Sequence, residues 1–317
     1  MKKILDRLKL AENIIEKNFS KDDKNYGLLV CGCFCLLGKF GDEFLSLVEN
    51  VFNNTTIIIE EGNIIKLAEE HGLDQFSFSD IPEEETKFID GLSYSGIHYY
   101  FKPDGKVIDD FTNPIVIIPN NNNKNNNQLL NTFIHEISHL IKSQVNASYN
   151  QEYNYYSIRC GISLYEVNFN NRNMIDNCTF NALDEIINVF QTTDMMLDLE
   201  LLKDIKCDNK IRNFLNTINF MELDDFLGYE GLIEPFVDLW INDEFRNIIE
   251  YDIVVGNLDN IVNNFNNIMG RNCFLDFSML CDDLENSEDN DKCIELENMI
   301  YQIIEEFNLK TTYQYKK

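Results

Sequence analysis

The chain has 317 residues, of which 44% are hydrophobic, and a formal net charge of −28. That hydrophobic content is enough for a packed core and excludes a disordered chain. The charge disfavours partners held through phosphates, so nucleic acid and anionic membrane surfaces are poor candidates, and no stretch approaches the roughly eighteen uncharged apolar residues of a membrane span.

Taken in order, residues 3–18 carry Ile4, Leu8, Leu10, Ile14 and Ile15 among charges, which predicts an amphipathic helix. The start, Met1–Leu10, is basic but charged throughout and lacks the apolar centre of a signal peptide. Residues 27–37 are a short apolar run, strand or buried helix. Cys31, Cys33 and Cys35 have the wrong spacing for a zinc knuckle and are expected as small core residues in a strand. All nine cysteines show no paired framework, which fits a reducing compartment; the expected location is cytoplasmic. Residues 42–52 predict a helix, Thr55–Glu60 a strand, and Ile64–His71 a short helix closed by Gly72.

From 73 to 120 the pattern turns to strands. Ile97–Phe101, the turn signal Pro103-Asp104-Gly105, and Lys106–Asp110 read as a hairpin. Pro114–Pro119 reads as a short buried strand. Asn120–Asn127 is asparagine but for Lys124, a polar connector whose last asparagines can cap the next helix.

That helix holds the informative motif, His135-Glu136-Ile137-Ser138-His139. On a helix, positions i and i+4 share a face, so both imidazoles can converge on one metal ion. Glu136 points a quarter-turn away, where a general base can reach water without binding the metal. Leu130, Phe133, Ile134, Ile137, Leu140 and Ile141 form an apolar stripe of helical period, the buried side this geometry needs.

Beyond the motif, residues 153–178 are rich in Tyr and Asn and read as an excursion over the site. Residues 180–202 return to helix, and 211–270 are helical periods punctuated by Gly228, Gly231, Pro235 and Gly256. The acidic run at 274–291 lacks the ligand spacing of a calcium loop and is expected as a solvated connector. A last helix covers about 291–307. Residues 1–127 are therefore expected as an N-terminal α+β part, and 128–317 as the motif helix with a mainly helical C-terminal part.

A catalytic zinc takes three protein ligands and keeps one position open. The metzincin solution needs Gly at 142 and His at 145, where this chain has Lys142 and Val145. The other solution takes a carboxylate from a second helix. The best candidate segment is Asn181-Ala-Leu-Asp184-Glu185-Ile-Ile-Asn188, with Asp184 and Glu166 as reserve ligands. His71 and His98 fit no motif.

Together, His135-Glu136-x-x-His139 and Asp184-Glu185-x-x-Asn188 resemble the gluzincin, thermolysin-like metallopeptidases. The chain also resembles uncharacterised bacterial zincin-like proteins, in which a later stretch is similar to Tyr229–Tyr251. These matches cover about residues 90–260, and only the histidine motif is specific. The spacing from His139 to Glu185 is longer than in thermolysin, and Asp184 and Asn188 exchange acid and amide relative to the family motif. The resemblance implies Zn²⁺ held by His135, His139 and Glu185, with Glu136 as base and proton shuttle in peptide-bond hydrolysis. Apart from the resemblance, Asn188 lies one turn from Glu185, where an amide can support a histidine ligand. The elements taken together predict an α+β fold, with a small twisted sheet and helices in the first 130 residues, a mainly helical second half and the site in the cleft between them; the resemblance implies that it is zincin-like. The substrate would be a peptide or protein, lying extended along a strand before the motif helix. Tyr153, Tyr155, Tyr156, Arg159 and Tyr229 are candidates to stabilise the oxyanion. The rival reading is a non-catalytic zincin fold serving as a binding or regulatory protein, to which an intact Glu136 is of no use.

Overall fold

The computed structural model describes residues 2–71, 90–94, 97–101, 107–111, 113–120, 124–142, 146–150, 155–168, 175–221 and 230–314. The fold is mixed α+β and mostly helical, with a small three-stranded sheet. Two compact units divide the chain. One comprises Met1–Tyr100, Ile108–Ile141 and Gln191–Asp225, the other Phe101–Val107, Lys142–Phe190 and Phe226–Lys317.

In the first unit, α1 (Lys2–Ile15) buries Leu8, Ala11, Ile14 and Ile15, the stripe its sequence predicts. The two apolar segments that follow are one helix, α2 (Tyr26–Asn54), with non-helical angles at Phe44. Cys31, Cys33 and Cys35 therefore lie on a helix and not in a strand, and all three are buried. Every residue from Tyr26 to Leu37 is buried, so the helix is apolar on all sides and no period marks it.

The sheet of this unit comprises β1 (Thr56–Glu60), β2 (Leu92–Tyr94) and β5 (Ile115–Pro119) in the order β1-β5-β2. β1 runs parallel to β5, with Ile58 opposite Ile117; β2 runs antiparallel, with Leu92 opposite Ile117. Between them in sequence, α3 (Ile64–Glu70) starts at Asn63, whose side chain accepts from Ile65 N. It packs Ile64, Leu67 and Ala68 on Ile58 and Ile117. His71 caps its end and is exposed; Gly72 lies outside the described residues. β3 (Ile97–Phe101) and β4 (Val107–Phe111) pair as a separate two-stranded sheet, as predicted; the turn at 103–105 lies outside the described residues. Helix α4 (Asn126–Lys142) carries the histidine motif. Gly32 of α2 lets it pack closely: a Cβ at Gly32 would fall 2.3 Å from the Phe133 ring.

In the second unit, the segment expected as an excursion is an antiparallel meander of β6 (Asn146–Asn150), β7 (Tyr155–Cys160), β8 (Ser163–Asn168) and β9 (Ile175–Thr179). Tyr156 stands opposite both Tyr149 and Val167. Its strands alternate Tyr, Ser and Asn more than aliphatic residues, so hydrophobic periodicity does not announce them. Helix α5 (Asn181–Leu197) follows and belongs to this unit as far as Phe190; the 3₁₀ turn at Asp198–Leu202 and α6 (Asn209–Leu215) are part of the first unit.

Five helices close the chain: α7 (Glu230–Trp240), α8 (Asp243–Val255), α9 (Leu258–Met269), α10 (Phe274–Glu285) and α11 (Asn290–Gln314). Gly256 and Gly270 end α8 and α9 at φ 70° and 68°, where glycine carries no Cβ penalty. Pro235, expected as punctuation, lies inside α7. The acidic run is no connector: Phe274, Phe277, Cys281 and Leu284 face inward on α10, with acids between. Phe265 stacks on Phe277 and Phe307, with centroids 5.6 and 4.9 Å apart. Among the described residues, no helix is long and apolar enough to cross a membrane.

Candidate metal centre

Helix α4 begins with a reciprocal cap. Gln128 N donates to Asn125 Oδ1 at 2.9 Å, and Asn125 N donates to Gln128 Oε1 at 3.0 Å. This is a capping box built from Asn and Gln. The stripe Leu130, Phe133, Ile134, Ile137 and Ile141 is fully buried, which fixes the rotation of the helix. His135, Glu136 and His139 are left half-buried on the other side.

The two imidazoles meet. His135 Nε2 and His139 Nε2 are 3.0 Å apart, and the rings stand at 75°. Glu185 of α5 offers a carboxylate oxygen, and the three ligand atoms lie within 4.8 Å of one another. A tetrahedral ion with bonds near 2.05 Å holds its ligand atoms about 3.3 Å apart. The two nitrogens at 3.0 Å are close to that spacing, the oxygen lies no more than 4.8 Å from either, and two imidazoles with one carboxylate are a zinc donor set.

Glu136 is not in that set. Its side chain lies against Gly91, just before β2: a Cβ on Gly91 would stand 2.7 Å from Glu136 Oε1 and 2.6 Å from Thr132 Cγ2. Lys124 holds this approach in place. Its Nζ lies 2.6 Å from Asp90 Oδ1 and donates to the Asp90 carbonyl at 2.7 Å. The one non-asparagine of the connector thus fastens the residue before Gly91.

Three polar anchors set α5. Asp282 of α10 accepts from Phe180 N and Ala182 N, each at 2.9 Å, and so caps the helix from across the unit. Burial raises the Asp282 carboxyl above the usual carboxylate range, against the opposing pull of these backbone donors. Phe180 sits at φ 65°, the entry to the helix. Asp184 accepts from Ile162 N and Ser163 Oγ at 3.4 Å each, at the β7–β8 turn. Lys142, at the end of α4, donates to Asn188 Oδ1 at 2.7 Å.

Of the predicted ligands, His135, His139 and Glu185 are brought together. Asp184 is held at the hairpin turn. Glu166 is on β8, opposite Asn177, and its side chain is outside the described residues. Tyr155, Tyr156 and Arg159 lie on β7, with side chains likewise outside; Tyr153 and Tyr229 lie outside altogether, as does the His98 side chain. Sequence reasoning missed Gly91, Lys124, Lys142 and Asp282. Only Lys124 left a signal, as the interruption of an asparagine tract. Neither protein-family models, nor curated proteins, nor solved structures give a significant match to this chain.

Proposed function

We propose that the protein is a zinc-dependent metallopeptidase with a zincin-like site, in which His135, His139 and Glu185 hold Zn²⁺ and Glu136 is the general base. One observation carries the reading: two Nε2 atoms 3.0 Å apart with a Glu185 oxygen in the same cluster, while Glu136 stays outside it. When bound, zinc supplies Lewis acidity, lowering the pKa of water it holds to about 7 and polarising a carbonyl. The Glu136 carboxylate takes a proton from the attacking water and passes it to the leaving amine nitrogen. Gly91 confines that carboxylate by lying against it. β2, which begins next to Gly91, is a terminal strand among the described residues and suits an extended peptide added alongside.

The test is peptide cleavage by zinc-loaded wild type and Glu136→Gln across a proteome-derived peptide library. The substitution is expected to keep zinc and reduce turnover by about 10²–10⁴-fold. Undiminished cleavage by Glu136→Gln would remove the base from its role. Zinc retention with no peptide cut by wild type would favour a binding protein over an enzyme.

A further inference from the structure

The sheet of the first unit has a second terminal strand, away from the proposed site. β1 pairs with β5 alone among the described residues. Two bonds fix which of its backbone groups are used. Thr56 N donates to Pro114 O at 2.8 Å, and Asn120 N donates to Glu60 O at 2.7 Å. In a parallel ladder alternate residues bond the same neighbour, so Thr56, Ile58 and Glu60 face β5. Ile57 and Ile59 turn their N–H and C=O groups the other way. Among the described residues, the only bond to that edge is from Asn25 Nδ2 to the Ile59 carbonyl, at a long 3.5 Å.

β1 itself carries no proline, lysine or bulge, three of the devices against strand addition, and among the described residues the Phe19–Asn25 segment and Leu29 of α2 lie beside its edge. The edge forms one wall of a depression of 510 Å³, running from Ile57 to Glu61 and faced by Phe19, Asp23, Lys24 and Leu29. At about 3.3 Å per residue, the five residues of β1 give a docking length of roughly 17 Å. The charged lining is Asp23, Glu60 and Glu61 against Lys24, an acidic balance on a chain of net charge −28.

We infer that the edge of β1, which no strand pairs among the described residues, is a docking groove for an extended, basic peptide segment of a partner protein, which adds as a strand through the N–H and C=O groups of Ile57 and Ile59 and displaces the long Asn25 contact. Main-chain pairing supplies the affinity, and Asp23, Glu60 and Glu61 select lysine- or arginine-bearing segments. A second copy of this chain is a poor occupant, because it would set the same acids against each other. The groove is independent of the metal cluster and stands or falls without it.

The test uses the full chain as Glu136→Gln, so that no probe is cut. A short fluorescent peptide of alternating Val and Lys is titrated and followed by polarisation and by amide exchange. Saturable binding is expected, with protection of the Ile57 and Ile59 amides. Methylating alternate peptide nitrogens should weaken binding at least tenfold, as should a Val/Glu peptide of the same length. Ile57→Pro removes an edge N–H and spares the β5 ladder, so it should fold and lose the peptide. Should Ile57→Pro fail to fold, Glu60→Lys with Glu61→Lys must reverse the preference between the two peptides. Equal binding of the methylated peptide, or none by the basic one, overturns the proposal. Self-association that Ile57→Pro abolishes would assign the edge to a second copy and overturn the choice of occupant.

Discussion

Lys142 Nζ donates a 2.7 Å hydrogen bond to Asn188 Oδ1, and both side chains are almost wholly buried, 1% and 0% exposed. Lys142 lies one turn beyond His139 on α4, and Asn188 one turn beyond Glu185 on α5. The bond therefore lies within the second unit, one turn in sequence from His139 and from Glu185. The spacing from Glu185 predicts that Asn188 can support a histidine ligand, and its amide oxygen also accepts from Lys142. A side-chain hydrogen bond is worth about 0.5–1.5 kcal/mol net, and leaving one buried partner unsatisfied costs about 1–3 kcal/mol. Lys142→Met is expected to weaken zinc binding about 10–100-fold, the usual cost of losing a residue that orients metal ligands. Competition against a chromophoric chelator measures this, and unchanged affinity in a folded variant would deny Lys142 that role.

Gly91 tests how the base is held. A methyl at Gly91 would stand 2.7 Å from Glu136 Oε1, so the carboxylate must swing aside. Gly91→Ala is expected to lower kcat at least tenfold while zinc content stays at wild-type level. Lys124→Met should act in the same direction more weakly, since it frees Asp90 without filling the space. Loss of zinc in Gly91→Ala would mean that the contact orients the whole helix and not the base alone.

Asp282 gives a pH prediction. Its folded pKa is raised, chiefly by burial, so the folded state holds this proton more tightly than the unfolded chain. The stability it lends is complete below the ordinary carboxylate range, near pH 4, and is lost as pH rises through the raised value. Asp282→Asn does not titrate at this position. Wild type should therefore lose thermal stability relative to Asp282→Asn as pH rises from about 4 to 7. Melting curves of both across that range check the sign; a constant difference refutes it.

Gly32→Ala sets propensity against packing. In a helix interior Ala gains about 1 kcal/mol over Gly. Here its Cβ would meet Phe133 Cε1 at 2.3 Å, in a core without room to yield. Overpacking costs about 1–3 kcal/mol, so net destabilisation is expected, read as a lower urea midpoint.

How much of this was legible depends on what each element shows to periodicity. α4 could be read fully because its apolar stripe, its asparagine cap and its two histidines agree on one rotation. Glu185 was legible only through a loosened second motif. The meander at 146–179 was hidden because its alternation is carried by Tyr, Ser and Asn. α2 was ambiguous because burial on every side erases the period. The partners around the site lie outside its motifs: Gly91 before β2, Lys142 at the end of α4 and Asp282 on α10. A lysine at 142 or an aspartate at 282 reads as a surface residue until its burial is known.

The central claim is that His135, His139 and Glu185 share one zinc ion. A crystal grown with zinc and measured on both sides of the zinc edge tests it most directly. One strong anomalous peak is expected about 2.0–2.2 Å from both Nε2 atoms and from a Glu185 oxygen, with Glu136 uncoordinated. A zinc-saturated crystal with no peak there, or with a peak whose third protein ligand is not Glu185, would contradict it.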